Sequence, residues 1–134
     1  MLKQFVSAAA VFGAAALVQG VAAGPAQALH ADAPHSDFQI LVVSPDPDEP
    51  TQMTLACPPE LSEHPNARTV CAQLDAAEGF IQGIPAADGM CTKEYAPVQV
   101  LVFGHWQGSN RTFNATYDNR CEAVLATGGA LLDL

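Results

Sequence analysis

Positive charge is scarce in this chain. Its 134 residues carry five Lys and Arg against fourteen Asp and Glu, a formal net charge of −9. Nucleic-acid binding needs basic surface to neutralise phosphates, so the composition argues against that class of partner. Aromatic residues are few, at 7 %. The patterns that carry catalysis are missing too: there is no nucleophile elbow, no phosphate-cradling glycine loop and no paired-carboxylate cleft. The histidines, His30, His35, His64 and His105, match no metal-ligand spacing. No enzyme activity, metal or cofactor is therefore expected. Beyond the first 28 residues no stretch is apolar and long enough to span a bilayer.

Those first residues read as a removable leader. Lys3 supplies a positive start, Phe5 to Val18 is an alanine-rich apolar run, and Ala26-Gln27-Ala28 fits small-x-small cleavage. Gly13, Gly20 and Gly24-Pro25 interrupt the segment and argue against a membrane helix. The expected organisation is a signal peptide over 1–28, a mobile arm over 29–37 and one domain over 38–134, secreted and extracellular. All the acidic residues lie after the leader, against Arg68, Lys93, Arg111 and Arg120.

In an oxidising compartment the four cysteines form disulfides rather than a metal or redox site. Four cysteines allow three pairings. Spacing favours Cys57 with Cys71, which brackets the segment between a strand and a helix, and Cys91 with Cys121, which ties a loop to a later strand. Each closure constrains the unfolded chain by roughly 3 kcal/mol or more.

The expected fold is α+β, a twisted antiparallel sheet of about five strands with one main and one short helix packed on it. Phe38–Ser44 alternates as a strand with Phe38, Ile40 and Val42 on one face and Leu41 and Val43 on the other. Ser44–Pro50 is an acidic, proline-rich turn. Gln52–Cys57 is a second strand. Pro65 opens a helix that runs to Glu78 before Gly79, with Val70, Leu74 and Ala77 as its apolar stripe. Val98–Trp106 is the longest strand, Gln107–Asn110 a turn, and Arg111–Tyr117 the returning strand. Glu122–Ala126 makes one helical turn, and Ala130–Leu134 adds an edge strand. Asn110-Arg111-Thr112 and Asn114-Ala115-Thr116 match the glycosylation sequon, a pattern frequent by chance.

The segment Met90-Cys91-Thr92-Lys93-Glu94-Tyr95-Ala96-Pro97 is different in kind. A disulfide pins its start, and Pro97 fixes its own backbone and extends Ala96. One basic side chain on a stiffened, extended backbone is what a trypsin-like protease accepts, and the stiffness is what slows its cutting. The segment resembles the reactive loop of the Streptomyces subtilisin inhibitor family. The resemblance extends to Thr54-Leu55-Ala56-Cys57-Pro58-Pro59, His64-Pro65, Val70-Cys71-Ala72-Gln73-Leu74, Trp106-Gln107-Gly108 and Asn119-Arg120-Cys121-Glu122.

The resemblance implies a secreted inhibitor of subtilisin-like and trypsin-like serine proteases, with the same disulfide pairing. It makes Lys93-Glu94 the bond presented to the protease, Met90, Cys91, Thr92 and Tyr95 the neighbouring subsite residues, and Asn119 with Pro97 the loop support. It also implies a homodimer with Ile40 in the contact. The loop alone also looks like that of Kazal inhibitors, whose domains normally need six cysteines in a smaller chain. The alternative from another class is an exported binding or structural module, or a substrate of cross-linking enzymes through Gln39 or Gln52.

Overall fold

The computed structural model describes residues 35–45 and 50–134. The leader 1–28, most of the arm and positions 46–49 of the acidic turn lie outside the described residues. Four strands, β1 (Ser36–Val43), β2 (Thr51–Cys57), β3 (Val98–Trp106) and β4 (Ser109–Tyr117), form one antiparallel sheet in the order β2-β1-β3-β4. Helices α1 (Ala67–Ala76) and α2 (Arg120–Ala126) accompany it. The class is α+β, as expected.

Period-two alternation builds the core. Phe38, Ile40 and Val42 of β1 and Val98, Val100 and Val102 of β3 are buried on one face, joined by Leu55 and Trp106. Ala67, Val70, Cys71 and Leu74, recurring at helical spacing, bury the matching stripe of α1. The Cys57–Cys71 disulfide ties α1 to β2. Regular helix starts two residues after Pro65, because the Asn66 N–H is taken by His64 Nδ1 at 3.1 Å in a preceding turn. At the other end Glu78 and Gly79 turn left-handed, with φ of 53° and 79°, and the Gly79 N–H closes on Leu74 O at 2.8 Å. The Trp106 side chain occupies the space where a Cβ on residue 79 would stand.

Two strand starts also differ from expectation. β1 starts at Ser36, so the end of the expected arm belongs to the sheet. The Ser36 hydroxyl accepts the Gln107 N–H at 3.1 Å. β4 starts at Ser109 because the hairpin turn is only Gln107-Gly108, at φ of 47° and 82°, the primed geometry that matches strand twist.

The expected fifth strand does not form, and residues 130–134 are turn and irregular chain. Leu131 and Leu132 are 0 % and 1 % exposed. Adjacent residues in a strand point to opposite faces, so two neighbouring leucines in one core require irregular backbone.

Ile40 also needs correction. The sequence reading places it in a contact between copies, yet it is 0 % exposed within a single chain. Its strand partners are Met53 and Val102, and all three face the core. The outward face carries Leu41 and Leu101, paired in register, with Gln39 opposite Phe103; Phe103 is 51 % exposed.

Candidate reactive loop

Between Pro85 and Val98 the chain has no regular structure, and its shape comes from ties to neighbours. Cys91 is bonded to Cys121 in the first turn of α2, with the Cα atoms 5.7 Å apart and the residues 30 apart in sequence. By loop-closure entropy that bond constrains the unfolded chain by about 3 to 4 kcal/mol. Ahead of it, the Ala87 N–H donates to Leu125 O at 2.8 Å. Gly89 lies so close to Leu125 that a Cβ there would come within 2.9 Å of its methyl. Behind it, the Ala96 N–H donates to Asp118 O at 2.8 Å, and half-buried Pro97 delivers the chain into β3.

The central tie is Asn119, 6 % exposed beneath the loop. Its Oδ1 accepts the Glu122 N–H at 2.9 Å, capping α2. Its Nδ2 donates to Thr92 O at 3.2 Å and to Glu94 O at 3.0 Å. The amide orientation follows from this set, since only the oxygen can accept the Glu122 N–H. One side chain thus fixes a helix start and the two carbonyls on either side of Lys93. Among the described residues nothing donates to the Lys93 carbonyl itself.

With the backbone held, the side chains point out. Met90 is 98 % exposed and Tyr95 77 %, and Thr92, Lys93 and Glu94 are exposed between them. Met90, Thr92, Lys93, Glu94 and Tyr95 form one outward edge, half-buried Cys91 is turned back to Cys121, and Asn119 and Pro97 lie behind. Gln39 and Gln52 lie elsewhere, hydrogen-bonded to each other at 3.5 Å on the outer sheet face. Among the described residues no cluster of His, Cys, Asp and Glu could hold a metal ion, and no helix is long and apolar enough to cross a membrane. One group near the loop base titrates abnormally: burial raises the Tyr117 phenol above its ordinary value.

The helix cap was readable from the sequence, since Asn119-Arg120-Cys121-Glu122 places a capping residue three positions before an acidic one. The ties to Asp118 O and Leu125 O use backbone carbonyls, which leave no mark in side-chain identity.

A stiff, outward segment carried on a sheet-and-helix body and tied back by a disulfide and a buried amide defines a presented-loop scaffold. A family model described as subtilisin inhibitor-like matches residues 41–119. The chain belongs to the subtilisin inhibitor-like family. "Subtilisin inhibitor-like protein 2" of Streptomyces rochei is 46 % identical over 71 residues, covering 52 % of this chain and 63 % of that protein. "Subtilase-type protease inhibitor" of Streptomyces coelicolor is likewise 46 % identical over 71 residues, covering 52 % and 49 %. The chain thus spans about half to under two thirds of the length of these relatives. Among solved structures, Streptomyces caespitosus sermetstatin, in complex with Bacillus licheniformis subtilisin, superposes with a TM-score of 0.56 at 21 % identity, covering 74 % of this chain and 97 % of that one. That likeness is one of fold.

Proposed function

We propose that this chain is a secreted inhibitor of serine proteases that presents Lys93-Glu94 as a substrate-like bond, acting on trypsin-like and subtilisin-like enzymes. The observation that carries this reading is the pair of Asn119 donations to Thr92 O and Glu94 O, which immobilise both sides of a peptide bond left open to attack. Lys93 enters the primary pocket, where a trypsin-like enzyme offers an aspartate. The extended residues before it pair with the enzyme by strand addition. The subtilisin arm rests on family membership and on what the relatives are named for. Export rests on the leader read in the sequence.

The chemistry explains slow cutting. The enzyme's serine Oγ bonds to the Lys93 carbonyl carbon, the Lys93–Glu94 C–N bond breaks, and the serine proton passes through histidine to the Glu94 nitrogen. In a free peptide that amine departs and water completes hydrolysis. Here Cys91–Cys121 holds one new end, while Asn119, the Ala96 to Asp118 bond and β3 hold the other. The amine stays beside the ester and re-forms the peptide at high effective concentration. The same stiffness removes the ordering cost of binding, and an interaction made equally in the ground state does not speed the reaction.

The dimer expected from the sequence is reassigned to the outer sheet face. Leu41, Leu101 and Phe103 form an apolar patch there, rimmed by Gln39, Thr112 and Asn114 in register. A two-fold contact on that face leaves one loop per copy free for its own protease. Phe103→Asp converts the dimer to monomers in sedimentation while sparing inhibition; a monomeric wild-type protein at tens of micromolar overturns the assembly.

Titration of trypsin and subtilisin with the purified protein tests the inhibitor. Stoichiometric loss of both activities supports it, with slow cutting found only after Lys93. Failure to bind either leaves the exported-module reading with Gln39 and Gln52.

A further inference from the structure

We infer that the C-terminal segment 130–134 braces the reactive loop, with His64 and Arg120 as positioning residues that act through it; this rests on the inhibitor reading of the loop.

At seven residues, α2 is marginal by itself, so its position must come from what it touches. Three consecutive residues at its start carry ties in two directions. Asn119 and Cys121 hold the loop. Between them, Arg120 Nη2 donates to Leu132 O at 3.3 Å. The tail therefore reaches the same turn of helix that holds the loop.

The tail is itself held at its other side. His64, 4 % exposed, accepts the Asn66 N–H at Nδ1. That assigns the ring proton to Nε2, which donates to Leu131 O at 2.9 Å. Asn66 Nδ2 donates to Asp133 O at 2.9 Å. With Leu131 and Leu132 buried, the tail is wedged between the start of α1 and the start of α2. Releasing it frees the α2 start to shift, and with it the Asn119 amide that positions the carbonyls around Lys93.

The test uses the full chain with Arg120→Ala, Arg120→Lys and His64→Ala. Each variant is incubated with catalytic trypsin at a temperature where circular dichroism shows it folded. Cleavage after Lys93 is followed by mass spectrometry, and exchange of the Ala96 amide by NMR. Both Arg120→Ala and His64→Ala are expected to titrate trypsin normally at time zero and then be cut about tenfold faster, the order that a sub-ångström displacement of a reacting group costs. Arg120→Lys, which keeps a donor, falls between. His64 is remote from Lys93 in sequence, and among the described residues its ring bonds go to the Asn66 N–H and to the tail, so a matching effect from it argues against loss of a direct Arg120 contact.

Folded variants cut at the wild-type rate, with unchanged Ala96 exchange, overturn the brace. If His64→Ala does not fold, Arg120→Ala decides, since Arg120 is exposed. Ala96 exchange reads the loosening with no protease present, so a wild-type protein that fails to inhibit trypsin sinks the functional reading while the brace is still judged.

Discussion

The presented loop around Lys93 and the tail 130–134 are both stretches without regular hydrogen-bond ladders, yet their side chains go opposite ways. In the loop Met90 is 98 % exposed and in the tail Leu131 is 0 % exposed. Their backbones are treated alike: carbonyls of both are held by buried side chains, Asn119 under the loop and His64 under the tail. Irregular chain becomes stiff when its polar groups meet fixed partners. Side-chain direction then decides whether the stiff segment is core or presented surface.

The largest effect should come from reversing charge at the tip. Lys93→Asp sets an acid against the pocket aspartate of a trypsin-like enzyme, and like charges so placed cost several kcal/mol. Trypsin inhibition constants should rise about a thousandfold or more by that argument, with a smaller rise for subtilisin. A variant that still inhibits trypsin stoichiometrically at micromolar concentration removes Lys93 from its role.

The contrast in burial is tested by truncating one side chain from each segment. Leu131→Ala should destabilise the protein by about 2 to 5 kcal/mol, whereas Met90→Ala should stay within about 0.5 kcal/mol. Urea midpoints measure both, and equal shifts would abolish the distinction between core and presented surface.

Asn119→Asp separates the two functions of one side chain. The carboxylate still accepts the Glu122 N–H, so the cap survives, while the lost donations and the buried charge cost about 1 to 3 kcal/mol. The two donors are replaced by a negative charge facing the Thr92 and Glu94 carbonyls. Cleavage after Lys93 should accelerate by about tenfold or more as alignment is lost, read by mass spectrometry. Unchanged resistance would leave the disulfide alone responsible for the stiffness.

The smallest effect is with alkali. Tyr117, opposite Val98 where β3 leaves the loop, has its phenol raised above 10.0 by burial. The neutral form is the one the fold favours, so this contribution is fully present below the unfolded value and is lost as pH rises through the folded one. Tyr117→Phe should therefore remove part of the stability loss seen above about pH 10. Thermal melts across that range would show parallel curves for the two proteins if Tyr117 has no part.

Much of this was legible from residue type. Val98–Trp106 falls as expected, because a long run of β-branched and aromatic residues between Pro97 and the Gln107-Gly108 turn marks a strand whichever face is buried. The loop was legible because charge, cysteine and proline share one short span. What failed had physical reasons. Leu131-Leu132 reads as strand only if one leucine is allowed outside, and the core takes both. Ile40 is placed in a contact between copies by the family resemblance, and because both faces of β1 are apolar the pattern alone does not say which one α1 covers. The Gln107-Gly108 turn was drawn too wide because Ser109 and Asn110 are turn formers that here sit in the ladder. Arg120 and His64 look like ordinary surface and helix-start residues, since the carbonyls they meet come from distant sequence.

The direction of β1 has a practical side. Val43 stands opposite Gln99 beside the loop's exit, and Asp37 stands opposite His105 at the other extreme of the sheet, about 20 Å away at ordinary strand rise. A linker joined ahead of Ser36 would therefore leave from the end of the sheet away from the Lys93 loop, and immobilised protein would present that loop to the solution. A tag placed after Leu134 would instead hang from the segment that Arg120 grips, crowding the same turn of helix. For surface display or fusion to a carrier, an attachment ahead of Ser36 and one after Leu134 are not equivalent.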